Sequence, residues 1–141
     1  MLRAIGSIFA GYIAIGVLVV LTDQVFAAAI PGFRNMSMPP LYYFVIVLCT
    51  DTLYTVGGGY LCAACARASA RTATLGLMVF GEIAGIVSTI LGWRIQPHWF
   101  AFALLVLFPI AVWIGYKLRV RGAEVNSPLL PNPPVHLPPE A

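Results

Sequence analysis

Three of the five acidic residues in this 141-residue chain, Asp23, Asp51 and Glu82, lie inside long apolar stretches, and they carry most of its chemical potential. A charged side chain at the centre of a bilayer costs roughly 2.5–3.5 kcal/mol on insertion scales. The nine Leu, Ile, Phe and Val residues between 41 and 66 return only about 3–5 kcal/mol at roughly 0.3–0.6 each. A charged Asp51 cancels most of that, so its helix needs a neighbour, a proton or a cation to settle the carboxyl. Asp51 and Glu82 each lie ten residues inside an apolar stretch, roughly 15 Å deep at 1.5 Å per residue and close to the midplane. Two carboxylates at one level do not both ionise easily, and a shared proton or bound cation resolves the conflict. Asp23, beside Thr22 and Gln24, is nearer an outer surface and within reach of interfacial water.

Helical steps join Asp51, Thr55, Gly58, Cys62 and Cys65 into one polar or small stripe, with Gly57 and Gly59 beside it. Glu82 flanks a second stripe of Gly81, Gly85, Ser88 and Gly92, whose small-xxx-small spacing lets helix backbones approach closely. Two expectations follow. The acids act as hydrogen-bonded glue between packed helices, or Asp51, Glu82, Thr55 and Asp23 form a proton, cation or polar-solute site.

Other chemistries fit less well. Cys62-Ala63-Ala64-Cys65 is a CxxC, but it falls at the C-terminal end of its helix, where the dipole opposes a thiolate. Cys49 is the only other cysteine, so no second pair relays electrons. Thr55-Val56-Gly57-Gly58-Gly59-Tyr60 looks like a disordered potassium-filter sequence. A filter needs a re-entrant helix and an aqueous mouth, and that topology would put Arg67 and Arg71 on the wrong side. His98 and His136 are too far apart for haem or zinc ligation. No metal or other cofactor is expected. No nucleophile, base and orienter occur together, so no catalytic residue is assigned and an enzyme is not expected.

The elements that position these residues follow from composition. The chain is 60% hydrophobic and 9% charged, with a mean hydropathy of +0.91, against about 25% charged residues in soluble domains. Four stretches are long enough to cross roughly 30 Å of hydrocarbon: 4–30, 41–66, 72–93 and 99–116. The fold expected is an all-α membrane protein, an antiparallel bundle of four transmembrane helices within residues 1–121. No apolar stretch alternates as a β-barrel strand would. Arg3, Arg67, Arg71, Lys117, Arg119 and Arg121 would share one side, with only Arg34 and Arg94 opposite. That bias places both termini in the cytoplasm. These cations report orientation, and no nucleic-acid partner is expected. Cleavage after Ala27-Ala28-Ala29 as a signal peptide is the alternative for the first stretch, although its apolar run is long enough to anchor. The fourth stretch has no ionisable residue between Trp99 and Tyr116, so it should face lipid most, and Pro109 should bend it. Residues 122–141 hold six of the eleven prolines and read as a disordered cytoplasmic tail.

The run Val56-Gly57-Gly58-Gly59-Tyr60-Leu61-Cys62-Ala63-Ala64-Cys65-Ala66-Arg67, with the opening Met1-Leu2-Arg3-Ala4-Ile5 through Ala10-Gly11-Tyr12, resembles an uncharacterised family of small bacterial four-span inner-membrane proteins. The likeness covers residues 1–116. It implies a multi-pass protein of the bacterial inner membrane and carries over no activity or site. The leading functional expectation is a non-enzymatic accessory or self-associating subunit. Its partners would be the lipid bilayer and, through the small-residue stripes, further copies or other chains of a membrane complex. The alternative is a small oligomeric proton- or cation-coupled transporter using Asp51 and Glu82, which a water-accessible cavity reaching Asp51 would favour.

Overall fold

The computed structural model describes residues 2–30, 39–94 and 96–125, and the described residues are almost entirely helical. Helix α1 spans Leu2–Ala29, α2 Leu41–Ala66, α3 Ala70–Gly92 and α4 His98–Val125, with a single 3-10 turn, Arg67–Ser69, between α2 and α3. Three helical segments are long and apolar enough to cross a membrane: Ala4–Ala29, Leu41–Gly92 and His98–Ala123. The middle segment is 52 residues long and folds back on itself at the 3-10 turn. Helix α4 runs past Tyr116 and Arg121 to Val125; residues 126–141, and with them most of the proline-rich stretch, lie outside the described residues, as does Arg34.

Local chemistry sets the helix ends. Pro40 and Pro97 precede α2 and α4, and their carbonyls accept the first backbone N–H groups, from Tyr43 at 3.0 Å and from Phe100 at 3.1 Å. Proline suits this place because its missing N–H would have no partner there. At the far end of α2, Arg67 takes a φ of 49°, a left-handed position that glycine adopts more cheaply. Within the helices, Thr52 and Thr74 donate to carbonyls four residues back at 2.7 and 2.8 Å. The hydroxyls thereby satisfy themselves where water is scarce.

Neighbouring helices are ordered α1, α2, α4, α3 around the bundle, with α2 also touching α3 and almost no contact between α1 and α4. The most extensive packing is between α2 and α4, which corrects the expectation that the fourth helix faces lipid most. A β-carbon on Gly59 would lie 2.5 Å from the Val112 carbonyl oxygen, and one on Gly115 would strike the Val56 carbonyl oxygen. Phe44 and Phe100 meet edge-on at 5.2 Å nearer the start of the same two helices, so α2 and α4 run parallel. In an apolar solvent, close backbone approach and dispersion drive helix pairing, and an absence of charge is no measure of lipid exposure.

Two clusters close the bundle. Cys62, Ala66, Ala73, Leu77 and Val112 are buried together at the end carrying the 3-10 turn. Phe44, Val47 and Phe100 pack together at the opposite end, against Phe26, Tyr43, Leu48 and Leu104. Large apolar side chains elsewhere point outward, among them Leu53 at 69% and Leu91 at 79% exposure. In water that surface would be costly; in hydrocarbon it costs nothing.

Candidate functional site

Between the two clusters the four helices separate around a cavity of about 360 Å³. Helix α2 contributes Asp51, Thr52 and Thr55, and α3 contributes Gly81, Glu82, Gly85, Ser88 and Thr89. Helix α1 supplies Tyr12, Ile15, Gly16, Val19 and Val20. Helix α4 supplies Ala101, Leu104, Leu105, Leu107 and Phe108, and Gln96 lies at the connection between α3 and α4. Both intramembrane acids of the second and third helices thus line one space. Asp51 Oδ1 and Glu82 Oε1 are buried and have no hydrogen-bond partner. A buried polar atom without a partner costs about 1–3 kcal/mol, and such an atom marks a place that a proton or ligand can occupy.

The helix contacts set the depth of each acid. Gly11 on α1 approaches Gly58, Cys62 and Leu77, while Tyr12 on α1 packs against Phe80 on α3 at 5.0 Å. This register puts Glu82 level with the glycines of α2 and Asp51 level with Ser88. The acids are then separated along the axis by about six residues, roughly 9 Å at 1.5 Å per residue. They share a cavity and do not face each other at one level. Leu77, Cys62 and Val112, each 0% exposed, lie past Glu82 toward the 3-10 turn. Gln96 marks the other end of the cavity. Asp51 and Glu82 stand at two different depths along its wall.

The hydroxyls on the wall are arranged as acceptors. Thr52 donates its proton to the Leu48 carbonyl and Thr55 to the Asp51 carbonyl, both at 2.7 Å, which leaves their oxygen lone pairs free. Pro109 lies inside α4 and offers no N–H to the Leu105 carbonyl four residues before it. Leu105 also lines the cavity.

Asp23 is placed elsewhere. It is exposed on α1, accepts a hydrogen bond from the Tyr43 hydroxyl at 3.1 Å, and does not line the cavity. Thr22 and Tyr54 share a second hydrogen bond across α1 and α2, at 2.9 Å.

The small residues divide by role. A β-carbon on Gly58 would collide with Ile15, and one on Gly81 with the Phe108 ring. Gly85 packs closely on Leu105. Ser88 belongs to the cavity wall, and Gly92 packs on Gln96 of its own connection. Gly57 meets nothing within 4 Å, so the structure does not bring it into a helix contact. Sequence reading passed over Gly11 and Gly115, although Ser7-xxx-Gly11 and Ala111-xxx-Gly115 have the small-xxx-small spacing that announces them. The cysteines are free thiols, with Cys62 buried and Cys49 and Cys65 exposed. No group of three or more His, Cys, Asp or Glu side chains suited to a metal ion occurs among the described residues.

Comparison with protein-family models, with curated proteins and with solved structures finds no match.

Proposed function

We propose that the chain is a four-span transporter of the bacterial inner membrane, with both termini cytoplasmic, that takes a proton or cationic solute from the outer side onto Asp51 and Glu82. The observation that carries this reading is one cavity lined by both acids, each with a buried oxygen that has no hydrogen-bond partner among the described residues. An acid retained at such cost without a partner points to function before architecture. Helices α2 and α3, at 26 and 23 residues, are each long enough to span the hydrocarbon separately, which supports four spans. The positive-inside bias and the likeness to small bacterial four-span proteins support the orientation and the membrane. The cluster of Cys62, Leu77 and Val112 lies between the cavity and the 3-10 turn, so release on that side would require α2 and α3 to part there.

Of the small residues through which an accessory subunit would meet another chain, Gly58, Gly59 and Gly81 pack within this one, while Gly57 has nothing within 4 Å. Reconstitution into proteoliposomes tests the proposal. Wild-type protein should dissipate an imposed proton or cation gradient, and the double variant Asp51→Asn/Glu82→Gln should reduce that flux to the level of empty vesicles. Equal flux in both preparations would remove the acids from any transport role.

A further inference from the structure

Resting on the cation-site reading above, we propose that the cavity takes an organic ammonium ion with an apolar body, in preference to a bare inorganic cation. The volume of about 360 Å³ is roughly a dozen times a water molecule's share of the liquid, and falls within the roughly 300–1,000 Å³ of small-molecule pockets. An inorganic ion would occupy a small part of it. Calcium needs about six to eight oxygen ligands and magnesium a near-octahedral shell. Here the two carboxylates lie roughly 9 Å apart along the axis, too far for both to enter one coordination sphere. Ion-held water would have to fill the remainder against Val19, Val20, Leu104, Leu105 and Phe108, side chains that offer it no hydrogen bond.

An alkyl- or arylammonium ion matches both kinds of wall. Its body removes apolar surface from water against those residues, and its N–H groups are donors for the acceptors at Asp51, Glu82, Thr52 and Thr55. Thr52 and Thr55 have spent their own protons on helix carbonyls, and Asp51 Oδ1 and Glu82 Oε1 lack a donor. The two depths give the ammonium two places to rest, one at Asp51 and one at Glu82. Phe108, fixed against Gly81, adds an aromatic wall near the second.

The test is calorimetric binding to the full-length protein in nanodiscs, using 2-phenylethylammonium, its neutral counterpart 2-phenylethanol, and the chlorides of sodium, potassium and calcium. The ammonium should bind at least roughly tenfold tighter than the alcohol, the worth of one charge-assisted hydrogen bond. The double variant Asp51→Asn/Glu82→Gln should abolish that preference. The comparison of ammonium with alcohol in the wild type needs no variant and holds even if the double variant fails to fold. Binding of an inorganic cation that depends on the acids, with no ammonium binding, would overturn the ligand class and leave the cation site standing. Equal binding of ammonium and alcohol would mean an apolar hole that ignores the acids, and would overturn both. No binding of any probe to folded protein would likewise overturn both.

Discussion

A single carboxyl oxygen without a partner separates the two roles that an intramembrane acid can have. If Asp51 and Glu82 were glue between helices, their oxygens would be engaged, and replacing them with leucine would break bonds. The structure leaves Asp51 Oδ1 and Glu82 Oε1 buried and unengaged. Removing such a group relieves a cost. Asp51→Leu and Glu82→Leu are therefore expected to hold or raise stability in detergent unfolding, by on the order of 1 kcal/mol each, while abolishing flux. A loss of more than about 1 kcal/mol in either variant would instead mark the acid as structural. Tyr43 supplies the contrast, because its hydroxyl donates to Asp23. Tyr43→Phe should cost about 0.6 kcal/mol, the average for polar contacts within membranes, and the same unfolding measurement reads it. Asp51 and Glu82 were legible in the sequence as acids stranded in apolar runs. Their relative depth was not, because counting from each end of an apolar stretch says nothing about the register of one helix against another.

At the scale of the elements, the helices were readable from length and hydrophobicity, and their neighbours were not. Chain order suggested α2 beside α3, and the uncharged fourth stretch looked the most lipid-facing. The close pairing of α2 with α4 comes from Gly59 against Val112 and Gly115 against Val56, contacts between residues some fifty positions apart that no periodicity within one helix can announce. This pairing makes a sharp prediction. At Gly59 a methyl group would lie 2.5 Å from a backbone oxygen that no rotamer change can move, so Gly59→Ala should cost about 1–3 kcal/mol through overpacking. Gly57, with nothing within 4 Å, should accept alanine with a gain of roughly 0.5–1 kcal/mol from helix propensity. Unfolding of the two variants side by side distinguishes them, and an equal effect at both positions would contradict the α2–α4 interface.

The whole molecule is a bundle with an apolar cluster at each end, a cavity lined by both acids between them, and its large apolar side chains turned outward. Residue 69, on the 3-10 turn, should react only from the cytoplasmic side when carrying the sole cysteine, and a residue near Gln96 only from the outer side. Reaction of position 69 solely from outside would invert the proposed orientation and put the mouth of the cavity in the cytoplasm. The central proposal, that Asp51 and Glu82 stand in a cavity reached by water from the outer side, is tested most directly by one accessibility measurement. Ser88→Cys, level with Asp51 on the cavity wall, and Leu53→Cys, on the outward face of α2, would be placed singly in a cysteine-free background and treated from outside with a membrane-impermeant cationic thiosulfonate. Labelling at position 88 together with protection at position 53 is the expected result. Protection at both positions would mean that the space around Asp51 and Glu82 is dry and closed, and would contradict the claim.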